Sequence, residues 1–457
     1  MIYKILVLLL IIQHFVYAQD PEQLLNEANK QMSKGDLVIA DSLLKESLKV
    51  DPSFAPAFVA QSKIWLRKGE IKKAIIFGEK AVKIDEEFRT WANELSQMNR
   101  KLISGMEFFK NRQTDKAISE LESIVENYPY FVQPYYNMAI IKYKTKDPEG
   151  MAFYAKKILS YNPNHKKGKK LFDNAIKYFY KIGNESYKRG DIEKAEANFL
   201  KSLEYDNNFI PAYYQLGVIE KKMGNSYKSK KYFNKLLSID SLHHKTLFTL
   251  GALYESINSL DSALFFYEKS IRANPTFIKP YSSLGNIYVL EKEFELAKQI
   301  LMEGKLIDPE YSKIYVTLGY AFSEEAKLLE EESFLPSLEP QEKMNLLDKS
   351  SISYKKASEN LEIASELDKN NYEVWYRYAA ALNSIKEYGK ASEAAQKCID
   401  LKRKYGGGNY EKGVALFGLN KKERALKFLE DANKDRNFRK LAQRKIDEIK
   451  RPSKYEK

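Results

Sequence analysis

The sequence predicts an all-α repeat fold, on three observations. One pattern recurs at a fixed interval of 34 residues. Inside each interval the apolar positions keep the 3.6-residue period of a helix. Prolines mark the ends of intervals or the first turn of a helix, where the missing N–H costs nothing. The register is clearest over residues 210–243, 244–277 and 278–311. Tyr213, Leu247 and Tyr281 stand in fourth place, Leu216, Leu250 and Leu284 in seventh, and Gly217, Gly251 and Gly285 in eighth. Ser229, Ala263 and Ala297 stand twentieth, and Phe233, Tyr267 and Leu301 twenty-fourth. The fourth, seventh and eleventh places share one helix face. A small eighth residue lets a second helix pack close.

This pattern resembles the tetratricopeptide repeat. The resemblance implies a pair of antiparallel helices, A and B, in each repeat, stacked into a right-handed superhelical solenoid. Such a solenoid buries its core between neighbours, so one long domain of about eleven repeats is expected from the 457 residues. A composition 30% charged and 44% hydrophobic fits a folded chain.

Residues 1–18 read as an export signal: Lys4 gives a positive start, residues 5–12 are apolar, and Val16, Tyr17 and Ala18 precede a cut at Gln19. The solenoid is expected over 19–450. A first block, 21–88, holds two repeats marked by Ala28, Gly35, Ala40, Phe58, Trp65 and Gly69. A second, 98–165, carries Gly105, Ala117, Tyr135 and Ala155, and a third runs from 176 to 438. The nine or ten residues before 98 and before 176 lack proline and are read as N-terminal extensions of helix A. After Ser312 the second half of a repeat, with Ala357, Leu361 and Ala364, arrives 26 residues late. The displaced residues 325–350 are read as an acidic excursion from an A–B turn, without repeat contacts. Repeats at 372–403 and 406–438, a polar closing helix at 439–450 and a tail at 451–457 complete the chain.

Net charge is +13, and residues 401–457 hold 18 Lys or Arg against 8 Asp or Glu. A second basic cluster is Lys166, Lys167, Lys169, Lys170, Lys177 and Lys181, opposed by Asp173. Either could meet anionic lipid, acidic polysaccharide or an acidic protein, or serve as a solvated surface. Nucleic acid is disfavoured, since no binding motif for it is present. Cys398 is the one cysteine, so no intrachain disulfide forms, and its small-residue place suggests packing.

No catalytic set, metal site or cofactor motif is read. His243 and His244 are adjacent rather than spaced as helical metal ligands. Gly406, Gly407 and Gly408 lack the Lys-Ser/Thr pair of a phosphate loop. The chain is therefore expected to be no enzyme.

The resemblance implies partner binding along the concave face of the A helices, at their second, fifth, ninth and twelfth places. Carried onto this chain, those places give Phe109, Tyr136, Tyr143, Tyr180, Tyr187, Tyr214, Phe248 and Tyr376, edged by Lys177, Lys245, Lys279 and Lys313. The carboxylate clamp of some members is incomplete: Asn29, Asn184 and Asn286 hold ninth places, but Leu25, Tyr180 and Ser282 stand where lysine is needed. The expected function is a scaffold of the bacterial cell envelope, periplasmic or secreted, binding a protein or peptide with apolar anchors and acidic flanks. The alternative is a surface-associated binder of anionic glycan or lipid through the basic C-terminal region.

Overall fold

A computed structural model describes residues 20–451. The export signal expected at 1–18, and all but the first residue of the tail, lie outside the described residues. The chain divides into two compact units, with the boundary between Ile219 and Glu220.

In the first unit the helices are α1 (Pro21–Ser33), α2 (Leu37–Val50), α3 (Ala55–Lys68), α4 (Ile71–Ile84), α5 (Arg89–Lys110) and α6 (Thr114–Asn127). They continue with α7 (Val132–Lys144), α8 (Pro148–Tyr161), α9 (Lys166–Arg189), α10 (Ile192–Tyr205) and most of α11 (Ile210–Lys222). The second unit holds α12 (Ser226–Ile239), α13 (His244–Ser256), α14 (Leu260–Ala273), α15 (Lys279–Leu290), α16 (Phe294–Ile307), α17 (Ser312–Ser333) and α18 (Pro340–Leu367). It closes with α19 (Tyr372–Ser384), α20 (Tyr388–Leu401), α21 (Gly406–Gly418), α22 (Lys422–Ala432) and α23 (Arg439–Lys450). Odd numbers are A helices and even numbers B helices up to α22, and α23 follows as the closing helix. No strand occurs among the described residues, and no helix there is long and apolar enough to cross a membrane.

Close A–B packing has a direct measure at the eighth-place glycines. A Cβ on Gly183 would lie 2.6 Å from Phe199, one on Gly251 2.6 Å from Tyr267, and one on Gly285 2.6 Å from Leu301. Each obstacle is the side chain sixteen residues on, in twenty-fourth place. Serines in twenty-seventh place tie helix B back to the start of helix A. Ser47 Oγ donates to the Pro21 carbonyl at 2.9 Å, and Ser270 Oγ to that of His244 at 2.9 Å.

Every A–B turn but one is made by a left-handed residue in fifteenth place. Gly35, Gly69, Gly190 and Gly224 serve there, with Arg112, Lys146, Asn258, Lys292, Lys386 and Asn420 at φ between 57° and 63°. Pro148 opens α8, with Asp147 accepting from the Gly150 N–H at 2.8 Å.

The extensions before 98 and 176 are helical, as α5 and α9. Trp91, in the first of them, donates from Nε1 to Ser62 Oγ at 2.8 Å. The excursion at 325–350 differs from expectation. It is two helical extensions, α17 with 22 residues and α18 with 28, joined only by residues 334–339. It also makes contacts: Ser350 Oγ donates to the Ala326 carbonyl at 2.8 Å, and Lys298 pairs with Glu325 at 2.9 Å. The physical reason is local. Small buried residues, Ala326, Ser333, Ser350 and Ser353, let two helices of good intrinsic propensity lie against each other.

Candidate functional site

Among the described residues each unit contains a groove lined mainly by A helices, and the second unit also has a hollow of about 250 Å³ between α14, α15 and α16, lined by Ile271, Leu284, Tyr288 and Ile300. In the first unit the groove is shallow and open, of about 430 Å³, and is lined by Asn99, Leu102, Ile103, Met106 and Lys110 of α5, Gln133 and Asn137 of α7, and Ile71 and Glu107. The floor is apolar, and Ile103 stands 53% exposed. Polar groups converge at one side, where Gln133 Nε2 donates to Asn137 Oδ1 at 3.0 Å. In the second unit a smaller groove of about 90 Å³ is lined by Tyr320, Ser323 and Lys327 of α17, Tyr376, Arg377 and Ser384 of α19, and Tyr354 of α18. The Arg377 guanidinium lies 4.9 Å over the Tyr320 ring.

Counted within their repeats, Ile103, Met106 and Lys110 hold places six, nine and thirteen. Arg377, Ala380 and Ser384, all in the wall of the second groove, hold the same three. At about 100° of turn per residue, places six, nine and thirteen fall within about 40° of place two, whereas place twelve falls about 80° away. The inner stripe is therefore 2–6–9–13, with places five and twelve on its flank.

That geometry accounts for where the sequence-derived residues stand. The fifth-place rings are half-buried, and each meets the ring in thirty-fourth place. Tyr136 lies 6.5 Å from His165, Tyr180 5.5 Å from Phe209, Phe248 5.6 Å from Phe277, and Tyr376 5.5 Å from Tyr405. Tyr180 and Phe248 also touch the twenty-fourth-place rings Phe199 and Tyr267. Tyr214 is likewise half-buried. Of the twelfth-place residues, Phe109 packs against the apolar core, Tyr187 is half-buried and Tyr143 is 45% exposed. The second-place lysines Lys177, Lys245, Lys279 and Lys313 are exposed. Of the named residues, Tyr376 lines the second groove, and the others line neither of these two. Ile103, Met106, Gln133 and Asn137 were missed, although the repeat register and a helical wheel would have found them.

The thirty-fourth place does a second task, because it also caps the next A helix. His165 Nδ1 accepts from the Gly168 N–H at 2.9 Å, and His243 Nδ1 from that of Thr246 at 3.3 Å. Burial holds both imidazoles below the usual histidine range. Among the described residues no cluster of three or more His, Cys, Asp or Glu could hold a metal.

Electrostatics differ between the grooves. Beside the first, Lys167 Nζ lies 5.6 Å over the Tyr136 ring, and Lys166, Lys169 and Lys170 are exposed on the first turns of α9. Beneath the second, Glu411 of α21 is buried and accepts from Asn383 Nδ2 at 2.8 Å. Burial pushes its carboxyl up to about 7, against the opposing pull of that hydrogen bond and of Lys327. Gly406, Gly407 and Gly408 begin α21 and are buried, and the Gly406 N–H is taken by Asp435 at 2.9 Å. Cys398 is buried, and burial pushes its thiol up to about 12.

The family model described as tetratricopeptide repeat matches residues 176–209, 210–241, 244–277 and 372–405. No curated protein matches the chain. Among solved structures, a tetratricopeptide repeat protein from Parabacteroides merdae ATCC 43184 is 12% identical, over 60% of this chain and 98% of that one, with a TM-score of 0.40. YrrB, described as a TPR protein with an unusual peptide-binding site, is 20% identical over 46% of this chain and 96% of its own, at 0.36. Yeast Tom70 is 14% identical over 95% of this chain and 90% of its own, also at 0.36.

Proposed function

The chain is a tetratricopeptide repeat protein, and on that premise we propose that it is a non-catalytic scaffold binding a protein segment along the grooves of its A helices. One observation carries the reading. The first-unit groove has an apolar floor from Leu102, Ile103 and Met106, with amide side chains on one wall. Apolar side chains of a partner gain by burial there, while Asn99, Gln133 and Asn137 offer donors and acceptors to its backbone. The exposed lysines beside it suit a segment with acidic flanks.

The N-terminal apolar run supports export, and with it a place in the bacterial cell envelope as a periplasmic or secreted protein. A mature N-terminus at Gln19 is the corresponding expectation, read by N-terminal sequencing. The basic C-terminal region supports polyanion binding less well, since Lys434, Lys445 and Lys450 pair with Asp431, Glu448 and Glu430.

A photo-crosslinking residue at Ile103 tests the reading, with one at Val38, exposed on a B helix, as control. Capture of a defined envelope protein from Ile103 and not from Val38 supports it. Capture that disappears steeply between low and moderate salt at both positions favours a polyanion binder instead.

A further inference from the structure

The hairpin of α17 and α18 ends in apolar side chains in water: Phe334 is 74% exposed and Leu335 49%. Around them stand Glu330, Glu331, Glu332, Glu339 and Glu342, with no Lys or Arg between 330 and 342, a charge of −5. The ion pairs of this hairpin stop short of its end, at Glu325 and at Lys327 with Glu324. The tip is thus an apolar anchor with acidic flanks.

Its complement exists on the same chain. On α9, whose first turn reaches Tyr136 of α7 through Lys167, residues 166–181 carry six lysines against Asp173, a charge of +5. Lys166, Lys167, Lys169 and Lys170 sit on the first turns of α9, the positive end of the helix dipole, where cations are repelled. Lys166, Lys169, Lys170 and Lys177 form no ion pair among the described residues, although Lys181 pairs with Glu185. An anionic partner would relieve both repulsions.

We propose that the hairpin tip of one copy docks in the first-unit groove of a second copy, Phe334 and Leu335 filling the apolar floor and the flanking carboxylates facing the α9 lysines. This rests on the groove's reading as a protein-binding site and names one occupant for it. A groove of about 430 Å³ accommodates large side chains from a narrow turn of six residues. The net charge of +13 keeps copies apart in other orientations, so the complementary poles also select the register. Because tip and groove are different surfaces, two copies either exchange tips reciprocally in a closed dimer or leave a free tip and a free groove for further copies.

Sedimentation velocity on the full chain tests this. The weight-average mass is expected to rise above the monomer's with concentration, and to fall back as salt is added. The exposed double change Phe334→Ser with Leu335→Ser leaves the groove intact and is expected to be monomeric. So are Ile103→Asp and, should that variant melt early, Lys169→Glu with Lys170→Glu. Mixing the tip variant with a groove variant is expected to give dimers and nothing larger, since each supplies one half of a single contact. Wild-type chains that stay monomeric at every concentration overturn the proposal, as do oligomers that persist in the tip variant. The crosslink from Ile103 to an envelope protein, repeated in the tip variant, separates the two readings. If it survives while the wild type is monomeric, only docking between copies fails.

Discussion

Phe248 and Phe277 meet edge to face, with ring centroids 5.6 Å apart and planes at 89°. The first is the fifth residue of its repeat and the second its last, so the contact joins helix A to the loop that leads into the next repeat. The same two places pair at Tyr136 with His165, Tyr180 with Phe209, and Tyr376 with Tyr405. These rings brace the turn that sets where the following A helix begins. They also border the inner stripe.

A double-mutant cycle on Phe248→Leu and Phe277→Leu measures the brace. We expect a coupling of about 0.5–1.5 kcal/mol in thermal or urea unfolding, the usual value of such a ring pair beyond its area burial. Additive losses would show that the rings merely fill space.

Two glycines separate steric from backbone demand. Gly183→Ala places a methyl 2.6 Å from Phe199, and a loss of about 1–3 kcal/mol is expected, partly recovered by Phe199→Leu. Gly190→Ala meets no atom within 4 Å, yet φ is +85°, so a loss of about 1–2 kcal/mol is expected from the left-handed backbone alone. Phe199→Leu should not restore that one. Urea midpoints of the two glycine variants, each alone and with Phe199→Leu, decide it.

Glu411 makes stability depend on pH. Its folded value, about 7, lies above the ordinary 4.5, so the protonated form is favoured in the folded state. The stabilisation this brings is complete below the ordinary value and is lost as pH rises through about 7. Glu411→Gln keeps an acceptor for Asn383 and removes the charge. It is expected to raise stability above pH 8 by on the order of 2 kcal/mol and to change little near pH 5. Equal effects at both pH values would rule out the buried charge as the cause.

Limited proteolysis should cut first within residues 334–339. Only there does the hairpin leave the helical state, and Phe334 and Leu335 are exposed. Chymotrypsin followed by intact-mass measurement reads the site. A first cut inside α17 or α18 would show that the extensions open independently of the turn.

Changing Tyr136, Tyr143 and Tyr214 together to Ser addresses recognition. Tyr143 is exposed and Tyr136 is held against His165, so partner binding and stability are both expected to fall, with about 1 kcal/mol of the loss traceable to the ring pair. Retained capture at Ile103 would confine recognition to the 2–6–9–13 stripe.

The sequence by itself determined the all-α repeat, the register of its columns, the two extended A helices and the closing helix. Those follow from local chemistry: a 3.6-residue period, small residues where helices touch, and proline where no N–H is needed. It also carried the groove places, since six, nine and thirteen lie close to place two on any helical wheel. Three things were decided only by tertiary structure. The fifth-place rings turned toward the thirty-fourth place because a partner 29 residues away was within reach, which no local pattern reveals. Residues 325–350 became a helical hairpin because small side chains 24 residues apart, such as Ala326 and Ser350, allowed two helices to close on each other. Glu411 lost its solvent because neighbouring helices covered it, and burial, not its sequence neighbours, set its protonation.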